Sequence, residues 1–497
     1  MNDNYPRERE ERLKKLELAK ELGYPPYAPL FDRQQTISEA RDLKVGQKVK
    51  TAGRIILLRE MGKMTFGHLK DEGGKIQVIL KQDILGDEYK KILKIISIGD
   101  FWGFAGEIFV TQKGEISVLA DKCTLLSKAL RPLPEKWHGL KDKETCYRQR
   151  YLDLLMNPET KARFDFRSQF VKELRKFYEE KDFTEIDTPI LSVTASGALA
   201  KPFKTHYEAL DLDVYLRIAP ELYLKEAIVG GYEKIFEVAR CFRNEGMDPS
   251  HLQDFSMVEH YVAYWDFEKN MALTEEMLST IIKKLFGTLK IKMLDRNGKE
   301  SIIDWTPPWP RVSFREIVLK DSGIDIDAFS EKKSLLEEIK KKGIILEDAI
   351  NLGRGNLIDA LYKKVSRPKL TNPVFLINHP LDLSPLARTN DDNPLTVDRF
   401  QLVVSGWEIV NAYSELIDPL DQKKRFEEQT KNQARGDQEA LNKDDDYLLA
   451  MEYGMPPISG WGMGVERIVA LLTCQPNLRD VVMFPLLKPK LLETEEE

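Results

Sequence analysis

The fold is decided by a stretch near the carboxyl end, Gly460-Trp-Gly-Met-Gly-Val-Glu-Arg467, followed at once by Ile468-Val-Ala-Leu-Leu472. This pattern predicts a glycine-rich strand that runs directly into an apolar helix. Glycines at such a junction let the backbone approach a ligand closely, and helix amino termini attract phosphate groups. Arg467 is therefore a candidate ligand for a phosphate.

Two more strands are predicted upstream of this stretch, joined by a long turn. The first ends in Arg240-Cys-Phe-Arg-Asn-Glu-Gly246 and the second begins with Phe255-Ser-Met-Val-Glu-His-Tyr261. Arg243 is a second arginine that could hold a triphosphate. An amphipathic helix and then a strand precede these two segments: Phe166, Phe170, Leu174 and Phe177 have helical spacing up to about Lys181, and the strand is Phe183–Pro189.

Length and composition indicate a globular protein of more than one domain. The chain has 497 residues, of which 42% are hydrophobic and 31% charged. No apolar run reaches the roughly 18 residues that a membrane span needs, and the first residues lack a secretory signal. The cysteines are far apart, without metal-binding or disulfide spacing, which fits a reducing cytosol: Cys123, Cys146, Cys241 and Cys474.

The amino-terminal third has the features of a small β-barrel such as an OB-fold. Strands are predicted from Lys48, from Met64 and from Ile76, and a hairpin is expected around Lys113-Gly114. Between 48 and 82 there are eight Lys/Arg and three Asp/Glu, a net charge of +5, although the whole chain carries −6. Such a basic face suits a nucleic acid, and a solvated sheet face is the alternative.

Three carboxylates, Glu221, Glu259 and Glu415, lie in the same segments as the two arginines. A site that combines phosphate-binding arginines with surplus carboxylates suggests that a cationic substrate is joined to a nucleotide. For each residue taken singly, an ion pair within the protein is the alternative.

Taken together and in order, these segments resemble the class II aminoacyl-tRNA synthetases, and among them the lysyl-tRNA synthetase family. The unit that ends at Pro189 is similar to motif 1, Phe242–Glu245 with Phe255–Glu259 to motif 2, and Gly460–Arg467 to motif 3. Three further segments are closer to the lysyl enzymes than to their relatives: Ala219-Pro-Glu-Leu-Tyr-Leu-Lys225, Ser384–Asp391 and Asn411-Ala-Tyr-Ser-Glu-Leu416.

The resemblance implies an α+β multidomain fold. It consists of an OB-fold that binds the anticodon and a catalytic antiparallel sheet flanked by helices. It also implies a cytoplasmic homodimer that uses ATP, Mg²⁺, L-lysine and tRNA(Lys), and that forms lysyl-adenylate before transfer to tRNA. The expected organisation is a helical extension at 1–43, the barrel at 44–129, a linker at 130–144, the catalytic domain at 145–490 with an insertion at about 288–375, and an acidic tail at 491–497.

The resemblance also implies the ligands of ATP. Arg243 is expected at the α-phosphate and the substrate carboxylate, Arg467 at the γ-phosphate, and Phe255 against the adenine. Further ATP contacts are expected from Glu245, His251 and Glu408. Glu408 is also a magnesium ligand, and the second acidic metal position of the family is Gln401 here, which leaves the number of ions open.

For lysine, the resemblance implies that Glu259 and Glu415 face the side-chain ammonium and that Glu221 faces the α-amino group. The other expected lysine contacts are Gly197, Tyr261, Asn411 and Tyr413. A desolvated ammonium needs anionic acceptors. An aspartyl enzyme would instead carry an arginine between Asn411 and Glu415, and this chain has none there.

In the barrel, Phe66, Gln77 and Glu115 match positions that read the anticodon in related enzymes, by stacking and by hydrogen bonds to base edges. A core role is the alternative for Phe66. Two other functions stay open for the chain: lysylation of a protein, against which the barrel argues, and RNA binding without catalysis, which Gln401 alone favours.

Overall fold

The computed structural model describes residues 5–134, 140–194, 197, 200–246, 248–294, 300–347, 349–350, 352–434 and 444–489. The chain divides into two compact units, Met1–Asp142 and Lys143–Glu497. The acidic tail expected at 491–497 lies outside the described residues, as do residues 135–139 of the expected linker. No helix in the described ranges is long and apolar enough to cross a membrane.

The first unit contains a closed five-stranded barrel, which confirms the barrel predicted from sequence. Its strands are β1 (Lys48–Met61), β2 (Met64–Asp71), β3 (Gly74–Lys81), β4 (Phe101–Val110) and β5 (Ile116–Ser127). They pair in the order β1-β2-β3-β5-β4. Its helices are α1 (Tyr5–Glu21), α2 (Ile37–Asp42), α3 (Gln82–Leu85) and α4 (Asp87–Ile95).

Strand β2 illustrates how the barrel separates its two faces. Thr65, Gly67 and Leu69 are buried, whereas Phe66 and His68 between them are only partly buried. Because successive side chains of a strand point to opposite faces, Phe66 and His68 share the outer face.

The second unit is built on a large sheet. Its helices are α5 (Lys143–Arg148), α6 (Arg150–Met156), α7 (Pro158–Glu180), α8 (Glu221–Val229), α9 (Phe267–Phe286), α10 (Phe314–Ser322), α11 (Lys332–Lys341), α12 (Arg354–Val365), α13 (Pro419–Ala434), α14 (Asp445–Glu452) and α15 (Val465–Leu472). Its strands are β6 (Thr184–Glu185), β7 (Leu191–Ser192), β8 (Phe203–Tyr207), β9 (Leu212–Leu216), β10 (Lys234–Phe242), β11 (Asp254–Ala263), β12 (Lys290–Leu294), β13 (Glu300–Asp304), β14 (Arg311–Ser313), β15 (Val374–Pro380), β16 (Thr396–Val404), β17 (Trp407–Ser414) and β18 (Ile458–Gly464).

The large sheet has eight strands in the order β14-β15-β16-β17-β18-β11-β10-β6. The six central strands are antiparallel, but each edge strand pairs in parallel with its neighbour. The six central strands form the expected antiparallel sheet, and the two parallel edge strands make the whole sheet mixed. It belongs to an α+β unit, as the sequence predicted.

The strand predicted at Phe183–Pro189 is much shorter than expected. Only Thr184 and Glu185 join the ladder. The backbone N–H of Thr188 donates to the buried carboxylate of Glu237 instead, and proline lacks the N–H that a ladder needs. A side-chain acceptor thus takes over where the strand pairing ends.

The main core lies between the sheet and helices α7, α9 and α15, and includes Phe170, Met277, Val258 and Ile468. The strand and helix predicted around Gly460–Leu472 are β18 and α15. Residues 288–375, expected as an insertion, contain the hairpin β12–β13, strand β14 of the main sheet, and helices α10 to α12. These helices pack around a separate apolar cluster that also includes Leu376.

Candidate functional site

A cavity of about 320 Å³ opens over the central strands of the large sheet. Two rows of residues that are neighbours across the strands run along its floor, and all of them except Gln401 line the cavity. One row runs Glu259, Gly462, Asn411, Gln401 through β11, β18, β17 and β16. The next runs Tyr261, Gly460, Tyr413, Arg399 through the same strands. Residues paired in this way share one face of a sheet, so four distant segments meet here.

Most of the residues expected to bind ATP or lysine line this cavity. They are Gly197, Glu221, Arg243, Glu245, His251, Phe255, Glu408, Glu259, Tyr261, Asn411, Tyr413 and Arg467. Glu415 and Gln401 do not belong to the lining formed by the described residues. Gln401 is the buried neighbour of Asn411 across the strands, whereas the Glu415 carboxylate lies where a Cβ of Gly460 would be.

One end of the cavity carries the two arginines. Arg243 follows β10, and the centre of its guanidinium lies 5.0 Å from the centroid of the Phe255 ring. Its Nε is buried and has no hydrogen-bond partner among the described residues. Burial lowers the pKa of Arg243, which indicates that the desolvated cation lacks full compensation. An anion placed here would supply it.

Arg467 lies in the first turn of α15 and donates through Nη1 to the backbone oxygen of Glu408 at 3.3 Å. Its neighbour Glu466 is buried and anchors the helix to β11, because its Oε2 accepts from the backbone N–H of Ser256 at 2.8 Å. Neither Arg243 nor Arg467 is ion-paired with a carboxylate of the described part of the chain. Both are therefore available to a polyanion.

The loop between β10 and β11 forms one wall of this end. His251 Nδ1 lies 2.6 Å from Asp248 Oδ2, and both side chains are about half exposed. Glu245 is exposed on the same loop.

The other end of the cavity is rich in carboxylates and tyrosines. Glu221 begins α8 and accepts from Tyr413 Oη at 2.8 Å. Glu259 is buried on β11 and accepts from Tyr261 Oη at 3.3 Å. Burial and the charge of Glu221 raise the pKa of Glu259 well above its usual range. No cation of the described chain is ion-paired with Glu259, so this carboxylate is the one open to a cationic ligand.

Glu415 is held by a residue that sequence reasoning missed. Its Oε2 lies 2.5 Å from Lys225 Nζ, and both side chains are fully buried. The same ammonium donates to Glu221 Oε1 at 2.6 Å. Lys225 falls four residues after Glu221 on a helix, and this spacing is a signal for a Glu–Lys pair.

Arg399 is a second residue that sequence reasoning missed. Its Nε donates to Asn411 Oδ1 at 2.8 Å, and its Nη1 donates to Ser384 Oγ at 2.8 Å. It thereby fixes the amide of Asn411 beside the carboxylate end of the cavity. Only the pairing of β16 with β17 brings the two residues together.

The candidate metal ligands are few, namely Glu408 and Gln401. Among the described residues no group of three or more His, Cys, Asp or Glu could hold a metal ion. Glu408 is half-buried in the cavity wall. A single carboxylate suits Mg²⁺ only when the substrate's phosphates and water supply the other ligands.

The three residues expected to read an anticodon lie in the barrel unit. Gln77 Nε2 donates to Glu115 Oε2 at 2.9 Å, and Gln77 Oε1 accepts from Ser117 Oγ at 2.9 Å. His68 Nε2 lies 2.9 Å from Glu115 Oε1. Gln77 and Glu115 are therefore in contact, and Phe66 lies on the same face of β2 as His68.

The chain is similar to two family models along separate ranges. Residues 49–126 match an OB-fold nucleic acid binding domain, and residues 142–488 match the tRNA synthetases class II (D, K and N). The chain is 43% identical to a lysine--tRNA ligase of Carboxydothermus hydrogenoformans over 96% of its length and 97% of the relative's. Identity to a lysine--tRNA ligase of Thermotoga maritima is 44%, over 98% of this chain and 97% of the relative. A lysine--tRNA ligase of Aquifex aeolicus is 44% identical over 89% of this chain and 73% of the relative.

Proposed function

The chain belongs to the class II tRNA synthetases of the D, K and N group, and we propose that it ligates L-lysine to tRNA(Lys). In this reaction ATP and lysine give lysyl-adenylate and pyrophosphate. The lysyl group then passes to the tRNA, and AMP leaves. The observation that carries the proposal is one cavity in which, among the described residues, the arginines at one end have no ion pair and the buried carboxylate at the other end, Glu259, has no cation.

Adenylation places the lysine carboxylate against the α-phosphate while negative charge builds up on the phosphoryl oxygens. Arg243 binds both anionic groups and brings them together, and Arg467 holds the γ-phosphate end. Phe255 stacks on the adenine, and Glu245 and His251 make further contacts with the nucleotide. Catalysis is then mainly positioning and electrostatic stabilisation by groups that are already in place.

Lysine lies across the carboxylate end. The carboxylate of Glu259 accepts the side-chain ammonium, and Glu221 accepts the α-amino group. Gly197 leaves room beside Glu221, where a Cβ would lie 3.4 Å from Glu221 Cβ. Tyr261, Asn411 and Tyr413 complete the pocket, and Glu415 lies beside Tyr261 over Gly460.

Mg²⁺ fits this site as a partner of ATP. Glu408 would hold it together with the phosphates, since Mg²⁺ is commonly bound through one or two carboxylates plus substrate phosphates. When bound, the ion neutralises phosphate charge during the transfer. Gln401 brings no charge, so any further ion is held weakly.

The barrel binds the anticodon of tRNA(Lys). Phe66 stacks on a base, and Gln77 and Glu115 present hydrogen-bonding groups to its edge, which is how proteins usually read a single-stranded base. We further propose that the enzyme is a cytoplasmic homodimer with motif 1, here α7 and the segment that follows it, at the interface. Sedimentation equilibrium at micromolar concentration tests the dimer, and a monomer mass would contradict it.

The deciding experiment is pyrophosphate exchange with each of the twenty amino acids. Lysine alone should support rapid exchange. Exchange with aspartate or asparagine would point to the relatives that share the fold, and no exchange with any amino acid would favour RNA binding without catalysis. Transfer to tRNA(Lys) and to protein acceptors, measured with radiolabelled lysine, then separates tRNA charging from protein lysylation.

A further inference from the structure

Lys225 is a buried cation inside the carboxylate cluster. Its side chain is fully buried on α8, and its Nζ bridges Glu221 and Glu415 at 2.6 and 2.5 Å. These two glutamates come from a helix and from the end of β17. One ammonium therefore joins two walls of the pocket.

Three tyrosines surround the same ammonium. Lys225 Nζ lies 5.9 Å from the ring centroid of Tyr261, 5.7 Å from that of Tyr413 and 5.7 Å from that of Tyr447. Aromatic faces attract a cation, most strongly where water is excluded. Burial lowers the pKa of Lys225, but the charges of Glu221 and Glu415 raise it by more, so the side chain stays protonated.

The charges of the pocket depend on this residue. With all groups ionised, three glutamates and one lysine give a net charge of −2. Free lysine brings two ammonium groups, and its carboxylate lies toward Arg243. Without Lys225, Glu221 and Glu415 would be two buried carboxylates in one cluster, and one of them would take up a proton.

We propose that Lys225 is a positioning residue for lysine recognition. Its ammonium holds the carboxyl groups of Glu221 and Glu415 in fixed positions in a preformed pocket, before the substrate arrives. Binding then needs no reorganisation of these side chains, and the substrate's ammonium groups meet oriented oxygens. This inference rests on the proposed function, and it assigns to the buried Lys225 a part in the specificity of that function for lysine.

The competing explanation is that the ion pairs of Lys225 only stabilise the fold. A second buried lysine of the chain serves as a matched control for that explanation. Lys128 in the barrel unit is also fully buried and lies 2.5 Å from Asp100. Removal of either ammonium breaks a buried ion pair. Only Lys225 contacts the carboxylates of the cavity.

The test compares Lys225→Met with Lys128→Met in lysine-dependent pyrophosphate exchange, with both variants normalised to folded protein. In Lys225→Met the KM for lysine should rise at least about tenfold, while the KM for ATP changes by less than about twofold. In Lys128→Met the KM for lysine should stay at the wild-type value. A lysine KM in Lys225→Met within about twofold of wild type, or equal rises for lysine and ATP, would overturn the proposal.

If Lys225→Met does not fold, the charge-balanced Lys225→Met/Glu415→Gln variant decides. Its reference is Glu415→Gln alone, in which Lys225 still holds Glu221. We expect the double variant to fold with a lysine KM several times that of Glu415→Gln, and equal lysine KM values in the two variants would refute the proposal. Lysine-dependent pyrophosphate exchange by the wild-type protein is measured beside all the variants. If the wild type shows no lysine-dependent exchange, the proposed function fails, whatever the variants do.

Discussion

A buried carboxylate with no cation of its own is unfavourable, and Glu259 is such a residue in the described part of the chain. Its only side-chain hydrogen bond among those residues comes from Tyr261. A protein keeps a group of this kind where a ligand supplies the missing charge. Under the proposed function, Glu259 is thus the residue on which we expect the choice of a cationic substrate to depend.

We predict that Glu259→Gln sharply weakens the use of lysine. The loss of a charge-assisted partner for a desolvated ammonium should cost roughly 2–5 kcal/mol in kcat/KM for lysine. Lysine-dependent pyrophosphate exchange measures this, with the KM for ATP as the control. Normal exchange kinetics in the variant would remove Glu259 from the lysine site.

The pH dependence of lysine binding follows from the same residue. Burial and the charge of Glu221 raise the pKa of Glu259, so at any pH below that raised pKa the empty pocket holds a proton that an incoming ammonium must displace. Lysine affinity should therefore increase as pH rises through that pKa, until lysine itself loses protons. Calorimetry in two buffers of different ionisation enthalpy should detect the released proton in the wild type and a smaller release in Glu259→Gln, where Glu415 keeps a pKa raised by burial, to about 8. Identical enthalpies in both buffers for the wild type would contradict this linkage.

Gln401 lies beside Asn411, as its neighbour on β16. An amide oxygen can ligate Mg²⁺ but brings no charge. We predict that Gln401→Glu lowers the free Mg²⁺ needed for half-maximal exchange at saturating ATP and lysine. An unchanged midpoint would mean that this position does not serve the metal.

At the scale of elements, the glycines of β18 make the pocket possible. Gly460 lies between Tyr261 and Tyr413, and Gly462 lies between Glu259 and Asn411. A side chain at Gly460 or Gly462 would occupy the floor of the cavity. A Cβ at Gly460 would overlap the Glu415 carboxylate and the Tyr261 ring, whereas a Cβ at Gly462 would meet Glu259 Cγ at 3.5 Å, an ordinary contact.

Gly460→Ala should therefore destabilise the protein by about 1–3 kcal/mol, as overpacking of a filled interior usually does. Its neighbours cannot easily move, because Glu415 is held by Lys225. Gly462→Ala is the matched comparison and should destabilise the protein less. Denaturant unfolding monitored by tryptophan fluorescence gives both values, and equal losses would mean that the floor tolerates a methyl group at either position.

At the scale of the whole molecule, the two compact units contain different sets of the expected binding residues. The cavity lies within the second unit, and the residues expected to read an anticodon lie in the first. Adenylate formation and tRNA selection are therefore expected to be separable by substitution.

Phe66→Ala and Gln77→Ala should impair transfer of lysine to tRNA and leave lysine-dependent exchange nearly intact. Loss of base stacking at Phe66 alone is worth roughly 1–3 kcal/mol. Steady-state aminoacylation against tRNA concentration measures the effect, and exchange without tRNA is the control. A parallel loss in both assays would show that these residues support the fold rather than the tRNA.

Much of this protein was predictable because the deciding patterns are local. Alternating side chains and turn glycines identify the barrel strands, and helical spacing identifies α7. Glycine periodicity identifies β18 and its passage into α15. The same locality explains the error at Phe183–Pro189, where the strand stops early because a side chain from another strand, that of Glu237, accepts the backbone N–H of Thr188.

The sequence by itself determined the order of the elements, the α+β class and the residue types of the site, since these depend on neighbours along the chain. Only the tertiary structure decided how the site residues meet. Strand register brings Arg399 to Asn411 and sets Gln401 at the end of a row, and the packing of α8 against the sheet lets Lys225 bridge Glu221 and Glu415. The physical reason is that strand register and these ion pairs depend on contacts between segments that are distant in sequence. The spacing of residues within one segment does not determine those contacts.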